Sequence, residues 1–314
     1  MSMLSSVASR LFWLARYLER TEGTARIINA YSQLVLDVPK GSEIGWETLI
    51  GTIDAEEAFG KRYRNINEHN VLKFMISDTD NYCSLRFAVK AARENVRTSR
   101  DVLPEDTWEQ VNEMYLYVED WAEKSVGRRN RFEFLETLIA QTQQIQGLLY
   151  TILSRDHSFT FLKIGSMLER ADMTSRVVDV AIGTILRKQR STTNFMPFLW
   201  ANLLLSLSAN SAYRREIGPL IYADEAIDFV FTSPTFPRSV AYCLADIESY
   251  SARVNNSSAV EKVVSELKKS VDNVPTKNLD YEVLHAYIDR FQKQLYRLNS
   301  VIEKTWFIPT EQSN

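Results

Sequence analysis

The segment Leu18-Glu19-Arg20-Thr21-Glu22-Gly23-Thr24-Ala25-Arg26 returns 150 residues later as Leu168-Glu169-Arg170-Ala171-Asp172-Met173-Thr174-Ser175-Arg176. Further along, Trp46 matches Trp200, Phe74 matches Phe229 and Ser84 matches Ser239, in the same order and with offsets that grow slowly to 155. Collinear matches at a nearly fixed spacing mark an internal repeat. They predict two related halves, 1–150 and 151–314, each of ordinary domain size and packed together as one unit.

The halves read as helical. The chain has 10 glycines and 8 prolines in 314 residues, about half the usual share, so strand-rich, turn-rich architectures are disfavoured. Apolar periodicity predicts helices over 4–36, 45–60, 68–76, 82–101, 104–126 and 131–154, then over 157–188, 195–213, 223–231, 237–254, 258–271 and 279–305. The run Asp37-Val38-Pro39-Lys40-Gly41 is the stop after the first helix. The expected fold is therefore all-α: a long-helix bundle of two pseudo-symmetric halves. Hydrophobic residues make up 45% of the chain, enough to fill a core.

Composition excludes several classes of function. Lys plus Arg number 37 against 40 Asp plus Glu, which argues against general attraction to nucleic acid or anionic membrane. Two cysteines, Cys83 and Cys243, cannot build a disulfide framework, and a reducing cytoplasm is the expected setting. The most apolar run, 195–209, is too short to span a bilayer and reads as core. No Gly-x-Ser-x-Gly, Gly-rich phosphate loop, HExxH or dinucleotide fingerprint occurs. His69, His157 and His285 lack the Glu-x-x-His spacing of a di-iron bundle, so neither a metal nor a cofactor is expected.

Two charged constellations remain. On a 100° helical wheel, Leu11, Leu14, Leu18 and Ala25 share their face with Glu19, Glu22, Arg26 and Asn29, while Arg16 and Arg20 point away. The later helix places Glu169, Asp172, Arg176 and Asp179 among Phe161, Ile164 and Leu168 in the same way. Charges on an apolar face need partners, and Glu22 with Arg26, and Asp172 with Arg176, stand at i, i+4. One reading is a buried ion network that registers two long helices. The other is a site at the junction, with Glu19, Glu22, Arg26, Glu169, Asp172 and Arg176 holding a charged ligand or a divalent ion.

The second constellation is a basic stripe. Arg86, Lys90, Arg93, Arg97 and Arg100 fall along one line of a helix. It is either a solvated, internally compensated face or an anion site for phosphate, carboxylate or an acidic partner.

The chain resembles the alpha-E family, a bacterial α-helical family named for a Glu-Arg motif. The likeness rests on Leu11-Phe12-Trp13-Leu14-Ala15-Arg16-Tyr17-Leu18-Glu19-Arg20, on Ala92-Arg93-Glu94-Asn95-Val96-Arg97 with Trp108 and Asn112, on Leu168-Glu169-Arg170-Ala171-Asp172, and on Pro237-Arg238-Ser239-Val240. The sequence departs by Ala15 where the family usually shows Gly, and by Ser166 where Arg is usual. The resemblance implies an accessory or scaffold protein partnering an ATP-grasp-type, amide-forming ligase and a transglutaminase-like peptidase in a peptide synthesis or modification system. In that setting the basic stripe is the expected contact with the ligase or its peptide. The alternatives are an enzyme of the same system, using the Glu/Asp/Arg cluster for acyl or amide chemistry, and a structural homo-oligomer.

Overall fold

The computed structural model describes residues 4–37, 45–53, 55–188 and 196–308. Among them the chain forms helices α1 (Ser5–Asp37), α2 (Glu47–Thr52), α3 (Glu56–Gly60), α4 (Glu68–Ile76), α5 (Leu85–Arg97), α6 (Glu105–Trp121) and α7 (Arg128–Ile152). These are followed by α8 (His157–Lys188), α9 (Met196–Ser206), α10 (Asn210–Glu216), α11 (Ala223–Thr232), α12 (Val240–Ser251), α13 (Ser258–Val271) and α14 (Tyr281–Ile302), which ends in a wide π-type turn, Glu303–Phe307. The fold is all-α, and the described residues contain no strand. No described helix is long and apolar enough to cross a membrane. Leu199, Trp200, Leu203 and Leu204 of the apolar run are buried in the core, whereas Phe195 and the stop at 38–41 lie outside the described residues.

Local chemistry explains where the helices begin and end. Ser84 and Ser239 hold extended backbone ahead of α5 and α12, and their hydroxyls accept from Phe87 N (3.0 Å) and Tyr242 N (3.1 Å). Asn67 caps α4 and Asp280 caps α14 in the same way. Each such cap satisfies an amide that the first turn leaves without a partner. The serine caps start α5 and α12 later than the predicted 82 and 237. Two segments predicted as single helices are broken: 45–60 into α2 and α3, and 195–213 into α9 and α10. Both first pieces close with a bond from the residue five further on, Ala55 N to Ile50 O (3.3 Å) and Ala209 N to Leu204 O (2.7 Å), the longer bond of a Schellman-type ending. Ser208, at φ 54°, makes the left-handed step of the second.

α1 and α8 form the centre. Their contacts rise together in number, with Gly165 against Phe12 and Met173 against Gly23, so the two helices run in the same direction. α5, α7 and α9 pack around α1, and α12, α14 and α2 pack around α8. A helix enclosed on several sides buries more than one stripe: Leu11, Phe12, Leu14, Ala15 and Leu18 are all nearly inaccessible, and so are Glu19, Thr21, Glu22 and Thr24.

The approach is tightest at Gly165. A Cβ there would lie 2.3 Å from the Phe12 carbonyl oxygen, and backbone inside a central helix has no room to yield. Gly165→Ala is therefore expected to destabilise the protein by about 1–3 kcal/mol, read as a lower melting temperature. Gly147→Ala, on an exposed position of α7 with nothing within 4 Å of the new atom, is the control and is expected to raise stability by about 0.5–1 kcal/mol. Equal melting of Gly165→Ala and wild type would refute the close approach.

Candidate functional site

The Glu-Arg motifs of α1 and α8 exchange partners. Glu169 accepts from Arg20 Nε (2.5 Å) and Nη2 (3.0 Å) and from Arg16 Nε (2.6 Å). Glu19 accepts from both Nε and Nη2 of Arg170, from Ser166 Oγ (2.9 Å) and from Gln146 Nε2 (3.2 Å). Both glutamates are almost wholly buried, with side-chain exposures of 1%. Each thus rests in a fork of guanidinium donors supplied by the other helix, the geometry in which arginine binds carboxylate most strongly.

This corrects the helical-wheel reading of Arg16 and Arg20, and the matching Arg170 behaves as they do. They do not point away from the core. The wheel assigns one buried side, but α1 and α8 are enclosed on several, and an arginine stem is long enough to carry its charge across to the neighbouring helix. The expected i, i+4 pairs do form: Arg26 Nε donates to Glu22 (2.9 Å) and Arg176 Nε to Asp172 (2.9 Å). The charges of Glu19 and Glu169, however, are balanced by Arg16, Arg20, Arg170 and Arg238, none of which was among the candidate site residues.

Arg238 is the least expected of these. It stands just before the α12 cap Ser239 and reaches Glu22 (2.7 Å) and Glu19 (3.7 Å). Cys83 holds the corresponding place before the α5 cap Ser84. Ser166, counted from its Glu-Arg pair, stands where α1 has Arg16. Glu169 therefore draws its second guanidinium from Arg16, and Glu19 draws its own from Arg238, while Ser166 keeps a smaller contact. The guanidinium that Ser166 does not supply comes instead from the turn before α12. The Pro-Arg-Ser motif was visible in the sequence, but nothing local tied it to a glutamate more than 200 residues away.

Ionisation follows from this geometry. Burial works against the charged form of Glu169, yet Arg20 and Arg16 outweigh it and hold the carboxyl at about 2. Glu19 is likewise held below its usual range, against burial, by Arg170 and Arg238. Burial pushes the Cys83 thiol up to about 11 and that of Cys243 to about 12, so neither is a thiolate nucleophile at neutral pH.

Beside the exchange lies a cavity of about 290 Å³ between α1, α8 and α14, with Tyr82, Cys83 and Phe87 closing one wall. Its polar lining comprises Arg16, Arg20 and Arg176 against Glu169 and Asp172, with Asn299 and Tyr296. Asn299 accepts from Arg16 Nη1 (2.6 Å), and the Tyr296 hydroxyl accepts from Arg176 Nη2 (2.9 Å). Trp13 lies beneath the Arg16 guanidinium, 4.9 Å from ring centroid to charge, a cation–π contact. Thr24 lines the same space with a buried hydroxyl that has no hydrogen-bond partner. A second cavity, about 440 Å³, opens on the opposite side between α1, α7 and α8, with Gln143, Gln146, Lys163, Ser166 and Arg170 in its polar lining.

The basic stripe is largely compensated within the chain. Arg86 makes a two-point pair with Glu119 (2.9 and 2.6 Å), Arg97 pairs with Glu94 (2.6 Å), and Arg93 Nε donates to Asn112 (2.8 Å). Arg93 also lies over Trp108 and Tyr115, and Arg100 over Trp108 at 3.8 Å. Lys90 is exposed. The stripe therefore helps join α5 to α6.

Removing one member of a buried pair strands the others. Glu169→Gln is expected to cost about 3–5 kcal/mol, a melting decrease on the order of 10 °C for a chain of this size. In the cycle Glu169→Met, Arg20→Met, the double variant is expected to lose less than the sum of the singles. Because the folded-state values of Glu169 and Glu19 lie below the ordinary 4.5, their contribution is complete above about pH 4.5 and is lost as pH falls from there toward about 2. Urea melts between pH 7 and pH 3 test this. A Glu169→Gln variant with the same acid sensitivity as wild type would contradict it.

No significant match was found among curated proteins or among solved structures. A family model described as "a predicted alpha-helical domain with a conserved ER motif" matches residues 3–307. In this structure the two Glu-Arg pairs clasp one another at the centre of the fold, and the chain belongs to the Alpha-E family.

Proposed function

We propose that this chain is an accessory protein of a peptide-building system, working beside an ATP-grasp-type ligase and a transglutaminase-like partner, and that its central cavity receives the carboxylate end of a peptide. The observation that carries the reading is the cavity lining: three guanidiniums, Arg16, Arg20 and Arg176, face two carboxylates, Glu169 and Asp172. One positive charge in excess, flanked by Asn299, Tyr296 and Thr24, suits a single carboxylate with a short polar backbone. The basic stripe is the weaker candidate contact, since four of its five cations already have partners in the chain. Lys90 and the exposed edge of Arg97 are what it offers a ligase.

The enzymatic alternative draws less support. A general base works best with a pKa near the operating pH, and Glu169, held at about 2, is a weak base there. Each half opens with its longest helix, α1 (33 residues) and α8 (32), and ends with its second longest, α7 (25) and α14 (22), which supports reading 1–150 and 151–314 as two copies joined by duplication. A cytoplasmic setting belongs to the same proposal.

The test is binding and association. A short peptide with a free C-terminal carboxylate is expected to bind measurably by calorimetry, and its C-terminal amide at least tenfold more weakly. Tyr296→Phe, which removes the hydroxyl that orients Arg176, is expected to weaken peptide binding with little change in melting temperature. An ATP-grasp-type ligase from the same cells is expected to co-purify with it. Absence of both peptide binding and ligase association would overturn the reading.

A further inference from the structure

We infer that Asp179, His285 and Asp289 form a binding site for a divalent transition-metal ion, of which Zn²⁺ is the best match. Asp179 lies on α8, ten residues past Glu169, and α14 presents His285 and Asp289 four apart, hence on one face. His285 Nδ1 is 2.6 Å from Asp179 Oδ1, and one ligand atom from each of the three residues falls within 4.8 Å of the others. Ligands about 2.0–2.2 Å from a shared zinc ion stand roughly 3–4 Å apart, so small side-chain rotations bring the set into place. One imidazole with two carboxylates is a borderline donor set, suited to Zn²⁺ or Mn²⁺ rather than to Ca²⁺, which takes oxygen ligands alone.

Two independent observations support a ligand here. First, a cavity of about 260 Å³ opens onto Asp179 and Asp289, and Glu56 and Gln292 also line it, leaving room for water or a further oxygen ligand in the fourth position. Arg176 and Lys293 border the same space, but Arg176 is held by Asp172 and Tyr296, and Lys293 is exposed. Second, Asp179 and His285 join α8 to α14, but that contact does not require the third group, Asp289. Ten residues past Glu19, α1 carries Asn29, whose surrounding cavity is bordered by Arg26, Ser208 and Asn210, without an acid or a histidine.

The site shares Arg176 and Tyr296 with the central cavity, so a bound ion would fix α8 to α14 beside it. The inference does not rest on the peptide reading. To test it, the untagged full chain is stripped with EDTA, dialysed and titrated with ZnCl₂, MnCl₂ and MgCl₂ by calorimetry. One equivalent of Zn²⁺ is expected to bind, with Mn²⁺ weaker and Mg²⁺ weaker still. Asp289→Asn and His285→Gln, both at solvent-accessible positions, are each expected to weaken Zn²⁺ at least tenfold while melting like wild type without metal. Zn²⁺ is expected to raise the melting temperature of wild type and not of the variants. No stoichiometric Zn²⁺ binding, or binding unchanged in both variants, would overturn the proposal.

Discussion

The fold depends on a reciprocal exchange of charge between two parallel helices. Glu19 and Glu169 are too buried to keep their hydration, and an unpaired carboxylate in such a place would cost several kcal/mol or be protonated. Each is instead held by arginines, Glu19 by Arg170 and Arg238, Glu169 by Arg20 and Arg16. Sliding one helix along the other by a turn would break both sets of pairs together. Apolar contacts among Leu11, Leu18, Ile164 and Leu168 tolerate such shifts far better, because dispersion and hydrophobic burial have little direction. The exchange therefore specifies register, and the close approach at Gly165 lets the arginines span the gap.

The same exchange shapes the cavities beside it. Arg16 and Arg20 are fixed on one side by Glu169 and by the faces of Trp13 and Tyr17. Their remaining donors are held toward the space bounded by α14. Preorganised guanidiniums of this kind favour a carboxylate ligand, since the cost of ordering them has been met in folding. On the opposite side Ser166 stands where Arg16 would be, Gln143 and Gln146 complete the glutamate contacts, and the second cavity is lined by Arg170 and Lys163 without a carboxylate. One architecture thus carries two unlike pockets, and the difference traces to a few residues.

The shift of Arg238 illustrates how such differences are absorbed. Counted from the helix caps it corresponds to Cys83, a small and buried thiol. The guanidinium missing at 166 is restored from the loop before α12, so charge balance is kept while the surrounding shape changes. Position alone did not carry the ion pair; the need to neutralise a buried glutamate did.

Much of the helical layout was legible in the sequence, because caps, breakers and apolar periodicity act within a turn or two. α4, α8 and α13 fall where their patterns predict them, and Glu22 with Arg26 and Asp172 with Arg176 pair as their spacing suggests. What local pattern missed were the ends set by Ser84, Ser239 and Ser208 and the split of α2 from α3 and of α9 from α10. The candidate site was legible only in part: the acidic residues and Arg26 and Arg176 were, but Arg16, Arg20, Arg170 and Arg238 were not. A helical wheel presumes one wet side, and only the tertiary structure encloses α1 and α8 on several. By itself the sequence determined an all-helical chain with charges inside its core, since helix formation is local. Which charges meet was decided by tertiary structure, because the partners lie about 150 residues or more apart and only the packing of α1 on α8 brings them within reach.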